Sequence, residues 1–291
     1  MRTEKGLTDY LLEKYSPETV KIYLLDICRY TSYMGEDRAE NATYRDIMEY
    51  TGYLRKTYQN PRTINRMLYG VKAWYFYLIA SGRREDHPCR LIKLKDARGS
   101  DIQLQDLFTL VEMEKLMQRK ERFEAARLRN KVIISLLIYQ GLRLTEITKL
   151  RLQDVDLEEG TLFIRAMPRT MARTLKLKTP QVMLFYNYIH ELRPKLLRTR
   201  TDRLVLTLRG SAENGEGINY LIETFKPMFP ERNLNARTIR QSVITNMLKE
   251  GKDLRVVQVF AGHKKISSTE KYRQSGIEEL QAAIEKYHPL G

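Results

Sequence analysis

The sequence predicts a mainly α protein with a small antiparallel β-sheet, an α+β architecture divided into two domains. Three observations carry this prediction. Apolar residues recur at helical spacing through the first ninety residues. The periodicity then lapses in Lys93-Leu94-Lys95-Asp96-Ala97-Arg98-Gly99-Ser100-Asp101, which collects charged and small residues as linkers do. Beyond Asp154, short runs alternate apolar and polar side chains, the period of strands. A length of 291 residues suits two domains of roughly 100–200 residues each. The expected boundaries are 1–94 for a helical domain, 95–106 for a linker and 107–291 for the second domain.

In chain order, Ser16-Pro17-Glu18-Thr19 supplies a cap, a proline at the first helical position and an early acid. Val20, Tyr23, Leu24, Ile27 and Tyr30 continue that helix to about Met34. A second helix is expected from Thr43 to Tyr58. A third begins after Asn60-Pro61 with Ile64, Leu68, Val71, Trp74, Tyr75 and Leu78 on one face, and stops at Ser81-Gly82. Its Trp74/Tyr75/Tyr77 stripe reads as core rather than as a base-stacking surface. The opposite side carries Arg62, Thr63, Asn65, Arg66 and Lys72.

The second domain opens near Leu107 with a helix, followed by the apolar Val132–Tyr139 helix, Gly141 and a helical segment from Thr145. Strands are expected at Val155–Leu157, Thr161–Arg165 and Thr174–Leu177, with a basic hairpin loop at Ala166–Arg173. From Pro180 the chain returns to helix, apart from an extended Leu204–Leu208. Asn235 is a good N-cap for a helix that runs to Glu250 before Gly251.

Composition narrows the function. No window approaches the roughly 18 consecutive apolar residues of a membrane helix. Met1-Arg2-Thr3-Glu4-Lys5-Gly6 leads into no apolar signal segment, so the expected location is cytoplasmic. Cys28 and Cys89 cannot build a disulfide framework, and with only His87, His190, His263 and His288 no metal site is expected. The net charge of +15 calls for a polyanion. It is concentrated in two stretches: residues 51–100 hold 11 basic and 3 acidic residues, and residues 161–210 hold 11 and 2. Two basic stretches in two domains suit a protein that grips nucleic acid from both sides. Arg62, Thr63, Asn65, Arg66 and Lys72 are accordingly the candidate DNA contacts of the first domain.

Three segments carry reactive groups. In Gly141-Leu142-Arg143-Leu144-Thr145-Glu146, Arg143 and Glu146 are three apart, so Glu146 can hold the guanidinium in place. In Asn235-Ala236-Arg237-Thr238-Ile239-Arg240, two arginines project from the first turn of a helix, where free N–H groups and the dipole favour an anion. The third is Ala261-Gly262-His263, with Tyr272 nine residues after the histidine.

In this order and spacing, the sequence resembles the tyrosine recombinase (phage integrase) family, and within it the Xer-like simple recombinases. The matching pieces are Gly141-Leu142-Arg143-Leu144-Thr145-Glu146-Ile147, Arg237-Thr238-Ile239-Arg240, Ala261-Gly262-His263 and Tyr272. Thr63-Ile64-Asn65-Arg66 and the aromatic helix after it look like the family's core-binding domain, and Glu285-Lys286-Tyr287-His288-Pro289 like its C-terminal end. The resemblance implies a core-binding domain followed by a catalytic domain that breaks and rejoins DNA at a specific site without metal, ATP or other cofactor. Tyr272 would form a 3′-phosphotyrosine, Arg143 and Arg240 would clamp the non-bridging oxygens, and His263 would hydrogen-bond the same phosphate. It also implies a tetramer on two DNA duplexes, with a helix over Gly276–Tyr287 docking on a neighbour or on its own domain.

The sequence departs from the family pattern in two places. Arg237 stands where the family usually has histidine, and a guanidinium cannot act as a base. The hairpin Ala166–Arg173 contains no lysine, leaving Arg169 or Lys176 as candidates for the family's leaving-group acid. These departures keep open a second reading, a catalytically impaired DNA-binding accessory protein of the same fold. A third, a type IB topoisomerase, fits the helical first domain and short C-terminal tail less well.

Overall fold

The computed structural model describes residues 2–94, 96, 106–121 and 123–273. Most of the expected linker and the whole of the expected Gly276–Tyr287 helix lie outside them. The chain forms two compact units, residues 1–100 and 101–291. Helices dominate both, and the second carries a three-stranded antiparallel sheet, as the sequence predicts.

The first unit contains α1 (Arg2–Lys14), α2 (Pro17–Met34), α3 (Glu36–Glu40), α4 (Tyr44–Thr57) and α5 (Pro61–Ala80). Ser16 and Pro17 start α2, and Gly35, at φ +81°, ends it. Thr43 and Asp46 form a reciprocal capping box at α4: Thr43 N–H donates to Asp46 at 2.9 Å, and Asp46 N–H returns to the Thr43 hydroxyl at 3.4 Å. Trp74 and Tyr75 are buried, so the aromatic stripe is core. Tyr75 donates its hydroxyl proton to Ala39 O (2.6 Å), so Tyr30 must be the donor in the 2.6 Å bond between the two phenols.

The second unit is built around α7 (Glu124–Ile138), whose residues Val132 to Ile138 are buried on every side. Before it lies α6 (Leu110–Glu114), and after it α8 (Leu144–Lys149). The sheet follows: β1 (Val155–Asp156), β2 (Thr161–Ile164) and β3 (Arg173–Lys176), in spatial order β1-β2-β3. Leu162 pairs with Leu175 and Ile164 with Arg173. The expected third strand is therefore displaced by one residue, because Arg173 belongs to the inward face. A charged residue in the apolar phase of a strand reads as loop until its buried partner is known. The segment 204–208 forms no strand and makes a single isolated bridge, Leu206 with Ala212. The unit continues through α9 (Thr179–Tyr186), a π-helical turn at Asn187–Leu192, α10 (Arg193–Leu196), α11 (Gly215–Glu223), α12 (Ala236–Lys249) and α13 (Leu254–Ala261), with residues 267–273 helical. Among the described residues, no helix is long and apolar enough to cross a membrane.

Candidate active site

The end of α7, the starts of α8 and α12 and the end of α13 converge on one carboxylate. Gly141, at φ +56°, turns the chain out of α7; a Cβ there would stand 3.2 Å from Val243. Arg143 follows in extended geometry as the N-cap of α8, and its N–H donates to Glu146 Oε2 at 2.9 Å. That bond fixes the carboxylate from its own helix. The Glu146 side chain is wholly buried and faces three guanidinium groups. Arg173 Nη1 and Nη2 donate to Oε1 and Oε2 at 2.9 and 3.1 Å, while Arg143 Nη1 stands 3.5 Å and Arg240 Nη1 3.8 Å away. The main partner of Glu146 is thus Arg173, where the three-residue spacing points to Arg143.

Burial alone would push the Glu146 carboxyl up. The hydrogen bonds and charge of Arg173, with the Arg143 N–H and the Arg240 charge, outweigh it and hold the carboxyl below its ordinary value. Glu146 is therefore ionised, and the buried cluster of Arg143, Arg173, Arg240 and Glu146 has two positive charges in excess. Arg143 Nη1 is buried and faces Glu146 at 3.5 Å without closing a hydrogen bond.

Arg240 projects from the first turn of α12 into the interior. It donates to Gly141 O at 2.6 Å and to Ala261 O, and its Nη2 lies 3.2 Å from His263 Nε2. Burial, then the charge of Arg143, pulls its pKa down to about 10. A guanidinium only donates, so His263 Nε2 must carry the lone pair and Nδ1 the proton. That proton goes to Thr269 Oγ1 at 2.9 Å. Burial, then the charges of Arg240, Arg143 and Arg173, pulls the His263 pKa down to about 4, so the ring is neutral near pH 7. Gly262, at φ +66°, caps α13 in the left-handed conformation and swings His263 into this position. The Tyr272 ring stacks on the imidazole, with centroids 6.1 Å apart and planes 18° apart, and packs against the small core of Ile244, Val257 and Ala261.

The hairpin closes the cluster. Thr170 forms an antiparallel bridge with His263, and Met171 N–H donates to Gly262 O at 3.0 Å. Arg169 is exposed in the tight turn between Met167 and Thr170. Lys176 lies three residues, about 10 Å, along β3 from Arg173 and on the solvent side.

Arg143, Glu146, Arg240, His263 and Tyr272 are thus brought together. Arg237 is exposed on the first turn of α12. The N–H groups of Arg237 and Thr238 are taken by the Asn235 side chain at 2.9 and 3.0 Å, so the helix start is capped from within rather than open to an anion. In the first unit Arg62 is exposed, and Thr63 and Asn65 are partly buried. Arg66 is committed to an ion pair with the buried Asp26, and Lys72 to the carbonyls of Ile92 and Arg90. Sequence reasoning missed two contributors. Arg173 announces itself only by occupying the apolar phase of β3, and Thr269 only by lying one helical turn before Tyr272.

Among the described residues, no group of three or more His, Cys, Asp or Glu is placed to hold a metal ion. Residues 107–279 match the phage integrase family, and residues 5–82 its N-terminal SAM-like domain. Tyrosine recombinase XerD of Listeria innocua serovar 6a is 28% identical over 294 residues, covering 98% of this chain and 95% of that protein. Tyrosine recombinase XerD of Staphylococcus epidermidis (strain RP62A) is 25% identical over 295 residues, covering 99% and 96%. Among solved structures, XerH site-specific recombinase in a post-cleavage complex with palindromic difH substrate superposes with a TM-score of 0.72 at 19% identity, over 87% of this chain and 75% of that one.

Proposed function

Because the chain belongs to the phage integrase family, we propose that Tyr272 is the nucleophile of a DNA strand-transfer reaction in which Arg143 and Arg240 act on the scissile phosphate and His263, accepting from Arg240 and donating to Thr269, holds Arg240 beside the nucleophile. The chain is a tyrosine-type site-specific recombinase, and its partner is DNA. The observation that carries the residue assignment is the charge of the buried cluster. Three guanidinium groups face one carboxylate beside a neutral histidine and a tyrosine, an arrangement short of anionic charge. A phosphodiester brings one negative charge, and attack by a phenolate brings a second to the five-coordinate phosphorus. Preorganised donors stabilise that developing charge without reorganising.

In the proposed step, Tyr272 Oη attacks phosphorus in line with the 5′-oxygen. The P–Oη bond forms, the P–O5′ bond breaks, the phenolic proton is lost and the leaving oxygen gains one. The product is a 3′-phosphotyrosine and a 5′-hydroxyl. The ester keeps the bond energy, and the reverse attack by a 5′-hydroxyl rejoins the strand with no energy source. Arg240, held by two backbone carbonyls, is a rigid donor; Arg143, whose Nη1 faces Glu146 while its side chain is one-third exposed, meets the phosphate with its exposed part. Arg169 at the exposed hairpin tip and Lys176 on the solvent side of β3 are the two candidates for the leaving-group acid.

We assign residues 1–94 to core binding, with Arg62 as a DNA contact, and residues 107–291 to catalysis. Assembly of four copies on two duplexes, through the segment after Ser275, completes the reading. A nicked duplex that traps the cleaved strand tests it. The wild-type protein should give a covalent adduct on a denaturing gel, and Tyr272→Phe none. A wild type that binds its site and gives no adduct would overturn the enzyme reading.

A further inference from the structure

Arg173 is a tightly held cation of the second unit, and the recombinase motifs do not use it. Its side chain is 1% exposed, and its fork meets both oxygens of a fully buried carboxylate. Its Nε donates to Phe260 O at 2.7 Å, so α13 also fixes it. The neighbouring backbone leaves room for it: a Cβ on Gly262 would stand 2.4 Å from Nη1 and 2.9 Å from Cζ.

The effect on the other two arginines follows from geometry. A carboxylate accepts about four hydrogen bonds, and a bidentate guanidinium takes the most favourable pair. With Arg173 in place, Arg143 and Arg240 stand 3.5 and 3.8 Å from Glu146, beyond good hydrogen-bond length. Without it, an ionised, buried and underbonded Glu146 would draw both guanidinium groups onto itself. Arg240 would then be drawn off the Gly141 and Ala261 carbonyls that hold it, and Arg143 would be paired, before any phosphate arrived.

We infer that Arg173 is a positioning residue: by occupying both oxygens of Glu146 it keeps that carboxylate from capturing Arg143 and Arg240 and leaves their donors for the scissile phosphate. The inference rests on the strand-transfer reading above. It separates Arg173 from a packing residue, because the damage done by removing it should be reversed by also removing the charge of Glu146.

The experiment compares wild type, Arg173→Met, Arg173→Lys and the double variant Arg173→Met/Glu146→Gln in single-turnover cleavage of a nicked duplex. Arg173→Met should cleave about 10²-fold more slowly with unchanged duplex affinity, the scale at which small misplacements of reacting groups act. The double variant should recover much of that loss. Wild-type cleavage by Arg173→Met, or a double variant no faster than the single one, overturns the inference. Should circular dichroism show Arg173→Met unfolded, Arg173→Lys decides: it keeps the charge, cannot span both oxygens and should be slower, and wild-type speed overturns the inference. A readout independent of cleavage is the rise in unfolding temperature on adding inorganic vanadate. Arg173→Met should lose that rise and the double variant regain it, whereas equal rises in all forms overturn the inference. A wild type that forms no adduct would strike the recombinase reading, and the vanadate comparison would still decide the role of Arg173.

Discussion

Thr269 accepts the Nδ1 proton of His263 at 2.9 Å, one helical turn before Tyr272 on the same segment. The hydroxyl that sets the histidine tautomer is thus built into the element that carries the nucleophile. Thr269→Val, close in shape but without the acceptor, strands a buried N–H at a cost of about 1–3 kcal/mol. It should lower the unfolding midpoint and slow adduct formation, while Thr269→Ser should restore both. Equal cleavage by the valine and serine variants would show that the bond is dispensable.

Acid should weaken the fold through His263. Its pKa lies near 4 when folded against an ordinary value of 6.5, with burial as the first cause. Between those values the unfolded chain binds the proton and the folded chain does not. Stability from this group is therefore complete above pH 6.5 and falls as the pH drops toward 4, by up to about 3 kcal/mol. Denaturant titrations across that window should show a flatter pH dependence in His263→Gln than in wild type.

Arg240→Lys should fold less stably and cleave far more slowly. A lysine cannot reach Gly141 O and Ala261 O while presenting a planar pair of donors to a phosphate. Loss of such a donor costs about 10²–10³ in rate. Gel-shift affinity for duplex should change little, since one buried cation contributes little to a binding energy spread over many phosphates.

Arg66→Ala tests the first unit. Its guanidinium pairs with Asp26, which is wholly buried and also has Arg29 at 3.4 Å. Burial raises the Asp26 carboxyl pKa despite both arginines. Losing the Arg66 bond should cost about 2 kcal/mol of stability, the worth of a hydrogen bond to a charged group. The measurement is urea unfolding alongside DNA affinity. A fall in affinity with unchanged stability would make Arg66 a DNA contact after all.

Gly262→Ala combines two faults, a left-handed backbone at φ +66° and a Cβ against the Arg173 guanidinium. The cost is about 1–3 kcal/mol in backbone strain alone. Cleavage should fall together with that of Arg173→Met, and the two changes combined should be less than additive.

Much of this architecture is legible in the sequence, because its signals are local. Ser16-Pro17, Asn60-Pro61 and Asn235 cap helices by contacts within a few residues, and each appears where the pattern places it. The grouping of Arg143, Arg240, His263 and Tyr272 is legible as ordered motifs. What the sequence hides is pairing across distance. Glu146 takes Arg173, 27 residues away, in preference to its helical neighbour. Arg66 turns inward because Asp26, 40 residues earlier, waits in the core. Both choices are made by burial, which a periodic pattern reports for apolar side chains and not for charged ones.

The hairpin meets the Gly262–His263 turn through main-chain atoms, Thr170 against His263 and Met171 N–H on Gly262 O. Such a seam is indifferent to the side chains at the tip. Substitutions at Pro168, Arg169 or Met171 can accumulate without unfastening the loop from the site. The fastening of the loop to the site is thus separate from the side chains that the tip presents to solvent.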